Sequence, residues 1–168
     1  MSIAIKTERL NLKKIEKKNL KVLVNLLNNW NVVKWLVNVP YPYTLINAEA
    51  WLDKSSKEEL ALNIYLKGIL IGGITIDKRT TNNSPVLGYW IGEEYWGKGY
   101  AIEACNSLIS YFLSNHSGNK LYASHMLKNE KSKKILFNLG FQKVGEGKVF
   151  SLSKNKEVED VNYELVNS

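Results

Sequence analysis

A strand that runs into a glycine turn, with a helix starting directly behind it, leaves a chain few choices of fold. Residues 87–104 read LGYWIGEEYWGKGYAIEA. The apolar residues up to Ile91 predict the strand, and Gly97-Lys98-Gly99 predicts the turn. Ala101, Ala104, Cys105, Leu108 and Phe112 fall at i, i+3, i+4, i+7 and i+11 and predict the helix. Glycines let a backbone pass close to a ligand. The first amides of a helix have no carbonyl partner within it, and the positive end of the helix dipole lies beside them. The turn therefore suits an anionic group such as a pyrophosphate.

The flanking sequence supplies the rest of the fold. Ile3, Ile5, Leu10 and Leu12 predict a first strand over Ile3–Leu12. Leu20, Leu23, Val24 and Leu27 share a helix face that Asn28-Asn29 terminates. Trp30 to Tyr43 holds two tryptophans, two tyrosines and two prolines. It predicts a short helical turn, then an extended Pro-Tyr-Pro lid whose edge lines a pocket. Thr44 caps a helix with Ala48, Trp51 and Leu52 on one face. Leu62–Leu66 and Ile69–Ile76 predict a hairpin about Lys67-Gly68, with a bulge or close packing at Gly72-Gly73. Asp77–Pro85 is a surface turn before the strand Val86–Ile91. Leu121–Met126 is a strand. Asn129 caps a helix carrying Ser132, Ile135, Leu136 and Leu139, and Gly140 closes it. Phe141–Val144 is extended, and Val149–Leu152 and Val158–Leu165 form a closing antiparallel pair. The expectation is an α/β (α+β) fold with one mixed, mostly antiparallel twisted sheet of about seven strands. Helices cover both faces, and residues 1–168 form one domain.

Composition narrows the partners. The net charge is +7, but no Lys/Arg block of five occurs, which argues against nucleic acid as the partner. Cys105 is the single cysteine, so neither an intrachain disulfide nor a cysteine metal site is available. His116 and His125 do not make a metal site either. No apolar run is long enough for a bilayer, and the N-terminal residues lack a signal-peptide layout. A cytoplasmic protein is expected, with no membrane partner.

Four stretches, in order, resemble the GNAT N-acetyltransferase superfamily, most closely its RimJ/RimL-type branch. They are TERLNLKKI, NVPYPYTLINAEAWL, GYWIGEEYWGKGYAIEA and NEKSKKILFNLGFQKVGEG. The likeness covers almost the whole chain. The superfamily signature Gln/Arg-x-x-Gly-x-Gly/Ala reads Glu94-Tyr95-Trp96-Gly97-Lys98-Gly99 here, so the glycines match and the first position departs. The resemblance implies acetyl-CoA as cosubstrate. Its pyrophosphate would rest on amides of Trp96, Gly97, Lys98, Gly99, Tyr100 and Ala101, with Lys98 adding charge. The strand Tyr89–Glu93 would splay from Leu121–Met126. Pantetheine would fit that gap against the backbone of Trp90, Ile91 and Gly92, and would touch Asn129. The amide of Ile91 or Gly92 would polarise the thioester carbonyl.

Amine acetylation needs a neutral nucleophile and a stabilised thiolate. Glu93, just past the strand, is the preferred base, ahead of Glu94 and Glu103. Many superfamily members carry a tyrosine acid four residues before the final Gly-Phe. Leu136 stands there in this chain and excludes it. Ser132, in Asn129-x-x-Ser132, is the substitute that the resemblance suggests, and His125 is a weaker relay candidate. Trp35, Tyr41 and Tyr43 are expected to wall the acceptor pocket. The branch implies a protein N-terminal α-amine of ribosomal-protein type as acceptor and is compatible with a homodimer. The alternatives are a small-molecule amine or a catalytically weak CoA-binding module. A wide cleft with acidic walls would favour a peptide amine, and a closed aromatic box a small molecule.

Overall fold

Thr7 divides the first expected strand in two. In the computed structural model, which describes residues 2–118 and 120–166, β1 (Ala4–Lys6) and β2 (Leu10–Lys13) form an antiparallel hairpin. The Thr7 N–H donates to the Leu10 carbonyl at 2.9 Å, and the Leu10 N–H donates to the Thr7 hydroxyl at 2.9 Å. The side chain thus closes a turn that lacks glycine and proline. The sheet consequently has eight strands where about seven were expected.

Three helices follow. α1 (Leu20–Leu27) buries Leu20, Leu23 and Leu27. Asn29 then caps α2 (Trp30–Val33) by accepting the Asn31 N–H at 3.0 Å. α3 (Leu45–Lys57) begins at a reciprocal box between Thr44 and Asn47, a cap commonly worth about 1 kcal/mol. β3 (Ala61–Leu66) and β4 (Ile69–Lys78) turn on Lys67 and Gly68, both at positive φ (49° and 82°), as a two-residue hairpin requires. Ile64 faces Gly72 while Tyr65 faces Leu70, so Ile71 is an extra residue that forms a bulge.

β5 (Pro85–Ile91) leads through the glycine turn to α4 (Tyr100–Asn115), and β6 (Lys120–Met126) and α5 (Glu130–Asn138) follow. The last strands are β7 (Gln142–Ser151) and β8 (Lys156–Val166). The segments expected at Phe141–Val144 and Val149–Leu152 are therefore largely one strand, with a register shift between Lys143 and Gly145. The sheet order is β1-β2-β3-β4-β5-β6-β8-β7. Every neighbouring pair is antiparallel except β5 and β6.

Helices cover both faces, and the core divides accordingly. Leu62, Ile64, Ile74, Leu87 and Leu121 pack with Leu108 of α4 and Leu136 of α5. Tyr65 and Leu70 pack with Leu23, Leu27, Tyr43 and Ala48 on the side of α1–α3. β3 serves both, which is why Ala61 to Tyr65 are all buried. Cys105 is a fully buried core residue, and burial pushes its thiol pKa up. Among the described residues no helix is long and apolar enough to cross a membrane.

Gly72 and Gly73 exist for Trp90. A Cβ on Gly73 would lie 2.4 Å from the Trp90 indole nitrogen, and one on Gly72 would lie 2.3 Å from the Trp90 carbonyl oxygen. The second clash is with backbone, which cannot move without opening β4 from β5. Gly72→Ala should lower the unfolding free energy by about 1–3 kcal/mol in urea melts. Gly145→Ala, whose Cβ would meet nothing within 4 Å, should change it by less than about 0.5 kcal/mol. Equal stability of Gly72→Ala and the parent chain would show that the carbonyl contact does not set the strand spacing.

Candidate active site

β5 and β6 are parallel partners at Val86 and Tyr122 alone. Beyond that pair β5 has an open edge inside the sheet. Which backbone groups face the opening follows from the antiparallel alternation on its other side. The Gly92 N–H donates to the Ile71 carbonyl at 2.8 Å. That bond flanks the pair Gly72–Ile91 and makes it the non-hydrogen-bonded kind. Ile91, and two residues earlier Tyr89, therefore turn their N–H and C=O toward the gap. Trp90 turns toward β4, and the Gly92 amide is already engaged. The expectation that Trp90, Ile91 and Gly92 all offer backbone to a ligand is narrowed to Ile91, with Tyr89 added. The Ile91 carbonyl accepts the Trp96 indole N–H at 2.6 Å, which leaves the Ile91 N–H as a donor at this edge.

The glycine loop follows a 3₁₀ turn at Glu93–Tyr95. Gly97 and Gly99 have φ of 74° and 81°, the left-handed region that glycine enters at no cost. The Trp96 amide is consumed by the Glu93 carbonyl at 3.1 Å, so Trp96 is removed from the expected amide set. The amides of Gly97, Lys98, Gly99, Tyr100, Ala101 and Ile102 find no acceptor among the described residues. They form the concave, donor-rich start of α4, a sixteen-residue helix. Lys98 is exposed, with its Nζ 3.5 Å from the Glu94 carbonyl oxygen.

The N-terminal hairpin braces this loop. Arg9 donates from Nε to Glu103 Oε2 at 2.7 Å and from its guanidinium to the Lys98 carbonyl at 2.9 Å. The Arg9 N–H and the Thr7 hydroxyl both donate to Glu103 Oε1, at 2.8 and 2.6 Å. The guanidinium also lies 4.6 Å from the Tyr100 ring centroid. Glu103 is thereby committed to structure. Burial works to raise its pKa, but the Thr7 hydroxyl, the Arg9 amide and the Arg9 guanidinium outweigh it and hold the carboxyl below its ordinary 4.5.

Proton-handling groups lie on both sides of the gap. On the α1–α3 side, exposed Glu93 accepts from Asn31 Nδ2 at 2.8 Å and from Asn29 Nδ2 at 3.2 Å. On the α4–α5 side, the Ser132 hydroxyl shares a hydrogen bond of 2.7 Å with the Tyr89 hydroxyl. Burial drives the Tyr89 pKa strongly up, the nearby Cys105 adds to this, and the Ser132 bond only partly offsets it. Tyr89 therefore stays protonated. Asn129 accepts the Ser132 N–H at 3.3 Å and caps α5. His125 is buried, with Nδ1 on the Met126 carbonyl at 2.7 Å and Nε2 on the Tyr163 hydroxyl at 2.8 Å. Both nitrogens are satisfied within the fold, which removes it as a relay.

The aromatic segment separates into core and rim. Tyr43 is 6% exposed and packs between α1 and α3. Asn28 holds its backbone from both sides, and burial moves its hydroxyl pKa up to about 12. The expectation that Tyr43 walls a pocket is corrected. Tyr41 is 44% exposed and its ring centroid lies 5.2 Å from that of Trp30, beside the asparagines that hold Glu93. Trp35 is half-buried, with Lys34 Nζ 5.4 Å and Lys154 Nζ 5.3 Å from its centroid. The charged groups that meet the Trp35 ring are thus both basic. Sequence reasoning assigned no part in the site to the Tyr89 side chain, to Arg9 or to Asn29 and Asn31. The recurrence of Leu87, Tyr89 and Ile91 on one strand face was the available signal for Tyr89.

Residues 9–142 match the family described as acetyltransferase (GNAT) domain. The chain is 27% identical over 169 residues to the uncharacterized N-acetyltransferase p20 of Bacillus licheniformis, covering 95% of this chain and 94% of that one. It is 36% identical over 66 residues to the [ribosomal protein uS5]-alanine N-acetyltransferase of Escherichia coli K12, a match to 39% of this chain and 34% of that one. Among solved structures, a GNAT-family acetyltransferase from Bacillus anthracis superposes with a TM-score of 0.80 at 22% identity, covering 98% of both chains. RimL, a ribosomal L7/L12 alpha-N-protein acetyltransferase solved with coenzyme A, gives 0.79 at 14% identity, also covering 98% of both.

The brace at Glu103 has a pH signature. A carboxylate held below its unfolded pKa stabilises the fold above about pH 4.5, and this contribution is lost as pH falls through the lower folded value. Glu103→Gln should therefore be less stable than the parent by about 1 kcal/mol at pH 7, and closer to it in stability at pH 3. Denaturant midpoints at the two pH values measure this. A constant difference would show that the charge on Glu103 is not what the brace uses.

Proposed function

The chain belongs to the GNAT acetyltransferase family, and from that premise we propose that it transfers acetyl from acetyl-CoA to a primary amine, the α-amine at a protein N-terminus. We assign it to the cytoplasm as a ribosomal-protein-type enzyme acting by direct attack. The observation that carries this reading is the two-sided site. Glu93 stands on one face of the sheet, the Tyr89–Ser132 pair on the other, and the Ile91 N–H lies at the opening between them.

The residues fit acetyl-CoA. The free amides of Gly97, Lys98, Gly99, Tyr100 and Ala101 suit its pyrophosphate. The open edge of β5 suits the extended pantetheine arm, with Asn129 beside it. Bound there, the thioester supplies an activated acetyl group. The Ile91 N–H donates toward the thioester carbonyl, a placement worth about 10²–10³ in rate where such donors have been removed. Glu93, directly or through water, takes the proton that the amine loses. Ser132 turns its O–H to the departing sulfur, and Tyr89 fixes that orientation by donating to the Ser132 oxygen. Tyr89 holds its own proton too tightly to act as the acid itself.

An α-amine fits the acceptor side. Its ordinary pKa of about 7.7–8 leaves much of it neutral near pH 7.5, whereas a lysine at about 10.4 is almost wholly charged. A solvent-exposed carboxylate such as Glu93 then suffices as base. The activities that name the E. coli relative and RimL are of this type. A small-molecule amine is the second reading, favoured by the Trp30–Tyr41 pair at the rim.

Kinetics on acetyl-CoA and N-terminal peptides test the roles. Glu93→Gln should lower kcat about 10²-fold or more and abolish its dependence on a carboxylate in the pH profile. Tyr89→Phe and Ser132→Ala should each lower kcat about 3–10-fold, as loss of one hydrogen bond does. The double variant should be no worse than Ser132→Ala alone. A kcat change under threefold in Glu93→Gln, or additive losses at 89 and 132, would overturn these assignments.

A further inference from the structure

Lys34 and Lys154 are 120 residues apart in the chain and meet over one indole. The β7–β8 turn is docked onto the segment after α2 by the Leu152 N–H on the Val37 carbonyl, at 3.0 Å, and by the Ser153 hydroxyl on the Val33 carbonyl, at 3.1 Å. This places the two ammonium groups 5.4 and 5.3 Å from the Trp35 centroid. Both lysines are half-buried, and neither is in an ion pair among the described residues. Some lysines elsewhere do find carboxylates, as Lys54 does with Asp77 at 2.8 Å and Lys143 with Glu146 at 2.7 Å. The Lys154 pKa is lowered by its burial first, then by Lys156 and Lys34. Two like charges held in partial burial without a counter-charge destabilise the fold. An ordinary solvated hairpin tip would spread such side chains into water. These stay on the indole, and the segment that carries Lys34 also carries Asn29 and Asn31, which hold Glu93.

We propose that Lys34, Trp35 and Lys154 form a carboxylate-recognition site of the acceptor channel, so that the preferred amine is the N-terminus of an acidic peptide. The proposal rests on the peptide-amine reading given above and narrows it. Two ammonium groups flanking an apolar plate suit an Asp or Glu side chain whose methylenes lie on the ring. Because Lys34 and Lys154 are cationic, attraction here comes from the anionic residues behind the acceptor's amine and not from the amine itself. The net charge of +7 reinforces this by steering acidic chains toward the molecule.

The test uses three peptides with the same first two residues and Glu, Gln or Lys at positions three to five. Their acetylation is measured together with equilibrium binding of their N-acetylated forms, which reads recognition without turnover. The Glu peptide should exceed the Gln peptide about tenfold or more in kcat/KM at low salt, and salt should shrink the advantage. Lys154→Gln should remove the advantage while leaving turnover of the Gln peptide within about twofold. The Lys34→Glu, Lys154→Glu double variant should prefer the Lys peptide. A preference below threefold, or one that these variants leave intact, overturns the proposal even if all three peptides are acetylated. Preferential binding of the acetylated Glu peptide, lost in Lys154→Gln, upholds it. If no peptide is then turned over, the carboxylate-recognition site stands, and the peptide-amine reading falls together with the acidic-peptide acceptor. Absence of both binding preference and turnover overturns both.

Discussion

The divergence of β5 from β6 is the constraint that the rest of the molecule accommodates. A strand in the middle of a sheet normally has both edges paired, and an unpaired edge is a template for another extended chain. Here the opening begins directly after Val86 and Tyr122, and several contacts frame it. The Trp96 indole takes the Ile91 carbonyl and is itself covered by Lys131, whose Nζ lies 4.1 Å from the ring centroid. Tyr89 and Ser132 join β5 to α5 across the gap at one sheet face. Glu93, Asn29 and Asn31 tie the end of β5 to the start of α2 at the other. The ends of the opening are therefore fixed while its edge stays free, which suits an extended ligand laid in as a further strand.

The glycine loop poses the opposite problem. Gly97 has no side chain to fix it, and a Cβ built there would meet no atom within 4 Å beyond its chain neighbours. A donor-rich loop is useful only if its amides converge, so its position must come from outside. Arg9 supplies that through the Lys98 carbonyl, and Glu103 ties Arg9 to the first turn of α4. The Thr7 hydroxyl accepts from the Leu10 N–H and donates to Glu103, so one side chain both closes the first hairpin and anchors it to the loop. This gives the Thr-Glu-Arg opening a physical task that an isolated edge hairpin of short strands would lack.

What was legible in the sequence was local. Thr44 and Asn129 cap the helices they precede, Gly140 at φ 88° closes α5, and Gly97 and Gly99 take the conformations that made the turn recognisable. Leu136 is a fully buried core residue. What was not legible depends on distance or on phase. The Ile3–Leu12 strand splits because a hydroxyl closes a turn in which no residue type announces one. Tyr43 enters the core because Asn28, fifteen residues away, seizes its backbone. The pairing of β5 with β4 sets which β5 backbone groups face the gap, and no periodicity within β5 reports on which of its residues are hydrogen-bonded pairs. Tyr89 with Ser132, and Lys34 with Lys154, meet only through the sheet order.

The two-sided site also explains how the chain can do without a tyrosine at 136. Amine acetylation from a thioester moves one proton off the nucleophile and leaves a thiolate. An ordinary thiol has a pKa of about 8.5, so its anion is a competent leaving group near neutral pH. A hydrogen bond to the sulfur then lowers the barrier nearly as usefully as full protonation. A Ser132 hydroxyl oriented by a permanently neutral Tyr89 can supply that bond without either residue changing charge. On the proposed reading, the demanding proton transfer is confined to the acceptor face, where Glu93 is exposed. Under this division of labour the position four residues before Gly140 is released from chemistry, and Leu136 is free to fill the core beneath α5.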